Sequence, residues 1–268
     1  MTTIATSAPA VTPFSASMSA APEAAPARAP AAAPDDRKQS QRLARITGLM
    51  FLVTFASSIP PVVSFYAPAL SDPAFVLGGT FDPGVSWGAL LELILIFANL
   101  ATALALYPVL KRQFPALSLS YVAARLTENG FIAFGIVALL ALNTLRFQPG
   151  IAEEGVMMAA GQALVALHNW TFRLGPGIVV GVGNGLILGY MMWKTRLVPR
   201  SLSVLGLVGG PALLVAGVAV LFGTIEAGST PQMIATVPEF FWELFLGIWL
   251  LVRGFNAPAL EAMDARTS

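Results

Sequence analysis

Long apolar runs alternate with short polar connections along this chain, and six of the runs approach the length that a bilayer demands. They cover about residues 46–66, 85–110, 118–145, 171–193, 202–222 and 238–252. A helix crossing a hydrocarbon core of roughly 30 Å needs about 20 predominantly apolar residues. In lipid the backbone must satisfy its own polar groups within the segment, so each run is read as a helix. A seventh apolar stretch, residues 155–170, keeps Met157, Ala160, Leu164 and Leu167 at helical spacing. Its length predicts a short interfacial or re-entrant helix before the fourth span. Pro60–Pro61 and Pro211 are expected to kink or end the first and fifth helices.

The fourth run gives the bundle its centre. Gly177, Gly181, Gly185 and Gly189 recur every four residues, which stacks them on one face of an α-helix. In a water-exposed helix each would cost roughly 1 kcal/mol relative to alanine. In lipid the missing side chains let a neighbouring backbone approach closely, and such packing drives helix association. Gly206 and Gly210 repeat the pattern in the fifth span. These faces serve packing within the chain, self-association or docking of another membrane protein equally well.

Three regions follow. Residues 1–40 form an Ala/Pro-rich tail with a basic end, too poor in large apolar residues to fold. The tail lacks the apolar core of a signal peptide. Residues 41–255 form the membrane domain, and residues 256–268 a short polar tail. The fold class is therefore an all-α, polytopic transmembrane helix bundle. Composition agrees, with 56% hydrophobic and 11% charged residues, where soluble domains carry about 25% charge.

Charge placement orients the bundle. Twelve of the 15 Lys and Arg residues fall on one side when the N-terminus is inside; the exceptions are Arg125, Arg146 and Arg173. By the positive-inside rule both termini are expected in the cytoplasm of a bacterial cell, with the protein in the inner membrane.

Polar groups inside the spans are the candidate chemistry, because a mid-span charge costs about 2.5–3.5 kcal/mol on insertion scales. Arg125, Glu128 and Asn129 share a face of the third span at spacings of three and four. Glu92 and Asn99 share a face of the second, Asn184 lies beside the glycine face of the fourth, and Glu243 lies in the sixth. His168, Asn169 and Arg173 are expected at the outer mouth of the fourth span. The groups converge either on a polar cavity open to the outside or on a purely structural network. The unwound backbone at Gly175-Pro176-Gly177 would offer amides to an anion, as broken helices do in transporters.

RLARITGL at 42–49, the Leu167-His168 pair, LGYMMW at 188–193, LVPRSLSVLG at 197–206 and PEFFWELFLGIWLLVRGF at 238–255 together resemble an uncharacterised bacterial membrane family. It is designated only as the domain-of-unknown-function 4386 family. Val198 interrupts its Leu-Pro-Arg element. The resemblance implies six membrane helices and no activity, and it transfers no site residues.

Several functions lose their chemistry. There are no cysteines and one histidine, so thiolate sites, disulfides and multi-histidine metal sites within one chain are excluded. No Gly-x-Ser-x-Gly, His-Glu-x-x-His or P-loop occurs, and no aspartate lies within a span. An intramembrane enzyme is the least supported reading, and no cofactor, metal or nucleic-acid partner is expected. A structural or regulatory membrane subunit asks only for the glycine faces. A small-solute carrier or ligand-binding sensor asks for the buried carboxylates to form a site.

Overall fold

The computed structural model describes residues 34–148, 150 and 152–267. Residues 1–33 of the tail expected at 1–40 lie outside the described residues. All regular structure among the described residues is helical, and six segments are long and apolar enough to cross a membrane.

Helix α1 (Pro34–Pro60) begins inside the region expected as tail, and buried Ser40 receives a hydrogen bond from Arg112 at 3.1 Å. Two consecutive prolines close α1 and open one π-helical turn, Pro61–Phe65. Each proline removes a backbone donor, so the ladder reorganises there. The connection folds back through α2 (Ala67–Ser71) and a 3₁₀ turn at Phe75–Leu77. Asp82 then caps α3 (Pro83–Leu110), accepting from the amides of Gly84 at 2.7 Å and Val85 at 3.3 Å. On α4 (Pro115–Arg146), Asn143 pairs both ways with the Asp82 backbone, at 2.9 and 3.0 Å. Arg146 donates to the carbonyls of Thr80 and Phe75 and covers the Phe75 ring. This end of the bundle carries Asp72, Asp82, Glu153 and Glu226 and is called the acidic end.

The short helix expected before the fourth span is α5 (Glu154–Leu174), and it does not stand apart. It runs without a loop through π-helical Gly175–Val179 and Gly181–Leu188 into α6 (Gly189–Thr195). The 42 residues of this segment would span about 60 Å at α-helical rise, twice the hydrocarbon thickness. They lie antiparallel against α4, with Gly161 beside Leu142, Gly135 beside His168, Gly175 beside Phe131 and Gly183 beside Ala124. The buried stripe of α5 is Met157, Gly161, His168 and Thr171, where the sequence pattern favoured Ala160 and Leu167. Gly161 is selected because a Cβ there would press on Val76 at 3.0 Å, and Leu167 faces outward at 49% exposure.

The glycine ladder packs against α7 (Arg200–Leu221) within the chain. A Cβ on Gly181 would reach the Gly210 carbonyl at 2.7 Å, and one on Gly189 would reach the Leu207 amide at 3.3 Å. One on Gly217 would reach the Gly177 carbonyl at 2.7 Å. The ladder is π-helical over most of its length rather than α-helical as its spacing predicted. Gly206 faces the ring of Trp242, a fully buried residue of α8 (Thr230–Val252). Helix α8 starts eight residues before the expected boundary at Pro238, and that proline lies inside it. Helices α1 and α8 cross at Gly48 and Gly247, where a Cβ on Gly48 would meet the Gly247 carbonyl at 2.6 Å.

At the basic end, which carries Arg112, Lys194, Arg196 and Arg200, the short polar tail expected at 256–268 forms the helix α9 (Ala257–Thr267). Leu260 and Met263 bury there, Arg37 pairs with Glu261 at 2.8 Å, and Gln41 bonds both backbone groups of Phe255. The outer surface of the spans is apolar, with Phe97, Phe134 and Val215 near 70% exposure, as lipid-facing positions require.

Candidate functional site

All six spans contribute to one cavity of about 340 Å³ in the middle of the bundle. Its charged and amide groups are Glu92 and Asn99 from α3, Arg125 and Glu128 from α4, and Glu239 and Glu243 from α8, joined by the hydroxyls of Thr54, Ser58 and Thr236. The rest of the wall is mostly apolar, including Phe55, Leu95, Ile132, Phe172, Leu213 and Phe240.

Helical spacing explains the α4 cluster. Arg125 and Glu128 are one turn apart, and the Nη1–Oε2 distance is 2.7 Å with both residues at most 5% exposed. The guanidinium also donates from Nε to the Tyr121 hydroxyl at 3.3 Å and lies 4.0 Å from Glu243. Asn99 Nδ2 donates to Glu128 Oε1 at 3.1 Å and to Asn129 Oδ1 at 3.2 Å. Asn129 returns a bond to the Ile96 carbonyl at 3.1 Å. The two amides thus join α3 to α4 and fix the second oxygen of Glu128.

Glu243 accepts a hydrogen bond from Asn184 Nδ2, whose backbone carbonyl accepts from Trp242 Nε1 at 3.0 Å. Asn184 therefore ties the π-helical segment to α8 through two successive residues of that helix. Glu92 accepts from the Tyr66 hydroxyl at 2.9 Å. Burial, and then the charge of Glu92, push the Tyr66 phenol up from its ordinary value, so it remains a donor.

Glu239 differs from the other carboxylates. It is 2% exposed, and neither oxygen has a hydrogen-bond partner. Sequence reading passed over it because a span starting at Pro238 puts Glu239 at the water interface. The true start at Thr230 sinks it more than two turns into the helix. The glycines around it explain how it fits: Cβ atoms on Gly185 and Gly209 would each lie 2.8 Å from Glu239 Oε2.

The three residues expected at the outer mouth separate. His168 is 4% exposed, sets its ring edge-on to Tyr66 at 5.5 Å, and holds Nδ1 3.3 Å from the Gly135 carbonyl. It is a packing residue between α4, α5 and the loop. Asn169 and Arg173 line a second recess of about 750 Å³ toward the acidic end, with Gln232 and Met233 of α8 across from them. Arg173 lies over the Trp170 ring at 5.0 Å. Phe172, Pro176, Leu213, Thr236 and Phe240 line both spaces, so recess and cavity meet at those side chains. Among the described residues no group of three or more His, Asp or Glu side chains is placed to hold a metal ion.

Comparison with curated proteins and with solved structures finds no match. The family model for a domain of unknown function, DUF4386, matches residues 46–254, which takes in most of the first span and all of the other five. An integral membrane protein by its six apolar helices, the chain belongs to the DUF4386 family.

Proposed function

We propose that the protein binds a small solute in the six-helix cavity and acts as a carrier for that solute or as a membrane sensor of it. One observation carries this reading: Glu239 is buried in the cavity wall with both oxygens unpartnered. A purely structural network satisfies its polar members, since an unmade bond to a buried acceptor costs about 1–3 kcal/mol and more when the group is charged. The glycine faces of the fourth and fifth spans meet each other within the chain, so they lend no separate support to a subunit role.

In the same reading the protein sits in a bacterial cytoplasmic membrane with both termini cytoplasmic. The basic end supports it, and each exception to the charge bias has a local task. Arg125 holds Glu128, Arg146 holds loop carbonyls, and Arg173 covers Trp170. The acidic end then faces outward, and the wide recess is the entrance.

The test is a thermal-shift screen of the protein in detergent across amino acids, sugars, organic anions, cations and lipids, with Glu239→Gln in parallel. A ligand at 100 times its Kd stabilises a two-state fold by about 2.7 kcal/mol. A shift lost in Glu239→Gln supports the site. Silence from every class returns the carboxylates to a packing role.

A further inference from the structure

Resting on that reading, we propose that the solute is an organic monocation, an ammonium group on an apolar body, with Glu239 as its counter-ion. The buried polar atoms around the cavity are unbalanced in one direction. Both oxygens of Glu239 lack a partner, as does Oδ1 of Asn184, the residue that holds Glu243. All three are acceptors. The hydroxyls of Thr54 and Thr236 on the wall are already engaged by carbonyls of their own helix, Ser58 adds one neutral hydroxyl against four carboxylates, and Arg125 is held by Glu128 and Tyr121. What the site lacks is therefore N–H donors and positive charge, which an ammonium ion supplies together.

The remainder of the wall selects for the body of the ligand. Phe55, Phe172 and Phe240 border the cavity with Leu95 and Ile132, and aromatic faces attract cations that have shed water. A bare metal ion asks instead for several converging oxygens, and among the described residues no such group is found. The volume of about 340 Å³ lies at the small end of ligand pockets, which suits a molecule of about ten non-hydrogen atoms. Val62 and Val63 belong to the wall and are also exposed on the apolar outer surface, at 41% and 69%. The wall thus extends to the apolar outer surface at that edge, which suits the apolar body of an amphiphilic cation.

Three probes of one shape separate the outcomes: phenethylammonium, 2-phenylethanol and phenylacetate, measured by calorimetry and thermal shift on the detergent-purified full chain. Other primary and quaternary ammonium ions of similar size, and sodium, potassium and magnesium, complete the panel. The expected result is saturable binding of ammonium ions, with the neutral and anionic analogues at least about tenfold weaker and Glu239→Gln abolishing the difference. Ile132→Trp, which fills the cavity and leaves every carboxylate in place, should abolish ammonium binding as well, so the result does not depend on one variant folding. Binding of the alcohol, phenylacetate or a metal ion in preference overturns the ammonium assignment while leaving a ligand cavity. Absence of any saturable binding across the panel and the wider screen overturns both.

Discussion

Glu239 precedes Glu243 by one turn of α8, and the two carboxylates divide their surroundings unequally. Glu243 has Asn184 as a donor and Arg125 at 4.0 Å, while Glu239 has neither. Both border the same cavity with Glu92 and Glu128, and Arg125 is the single cation in that wall. The arrangement leaves carboxylates in excess of partners, on the face of α8 that points into the bundle.

The inequality predicts opposite stability effects. Glu239→Gln removes a group that loses no partner, so its melting temperature in detergent should equal or exceed that of the parent. Arg125→Met leaves Glu128 and Glu243 without their cation and should cost about 3–5 kcal/mol. Combining Arg125→Met with Glu128→Gln should recover part of the loss, read from the same thermal unfolding curves. Equal losses for Glu239→Gln and Arg125→Met would mean that Glu239 has a partner in the folded protein.

The bundle was legible in the sequence because lipid imposes strong rules on length, charge and polar spacing, and of the cavity wall Glu92, Asn99, Arg125, Glu128 and Glu243 were legible, while Asn129 and Asn184 lie behind it. The spacing of Arg125, Glu128 and Asn129 placed them on one face, and the structure joins them to Asn99 across α3 and α4. What escaped depended on boundaries and on long-range packing. Thr230–Val237 contains Pro231, Gln232, Thr236 and a proline just beyond, and read locally it belongs to a loop; in the structure it opens α8, with Pro231 in the first turn where a missing amide is tolerated. That shift hid Glu239. His168 read as an interfacial residue because nothing local shows that Tyr66, 102 positions away, folds over its ring.

Tyr66 predicts a pH dependence. Its folded phenol titrates above the ordinary value of 10.0, so stability from this group is present below that pH. It is lost as pH rises above it, because the unfolded phenol ionises first and binds fewer protons. Stability should therefore fall more steeply above about pH 10 in the parent than in Tyr66→Phe. At neutral pH the variant leaves one Glu92 oxygen unbonded and should lose about 1–3 kcal/mol. Chemical unfolding at pH 7 and pH 10.5 measures both, and identical slopes in the two proteins would remove Tyr66 from the account.

Glycine substitutions should rank by what their Cβ meets. At Gly210 the added carbon would lie 2.5 Å from the Gly181 carbonyl, and at Gly130 nothing stands within 4 Å. Gly210→Ala is expected to destabilise by about 1–3 kcal/mol, whereas Gly130→Ala should be neutral or stabilising by up to about 1 kcal/mol. Cross-linking should show Gly210→Ala leaving the oligomeric state unchanged, because its contact lies inside one chain. A change in oligomer size with unchanged melting would place the ladder between chains instead.

Single cysteines can report access without background, because the chain has none. Met233 lines the wide recess and is 63% exposed, Thr236 lies where recess and cavity meet, and Arg196 borders a separate recess at the basic end. With the acidic end outward, Met233→Cys should react with a membrane-impermeant thiol reagent on intact spheroplasts. Thr236→Cys should react more slowly, because Phe172 and Phe240 flank its position, and Phe172→Ala should accelerate it. Arg196→Cys should react only after the membrane is opened. Rapid labelling of Arg196→Cys with protection of Met233→Cys would invert the topology and place the entrance on the cytoplasmic side. Equal rates at 233 and 236, unaffected by Phe172→Ala, would leave the two spaces without a constriction between them.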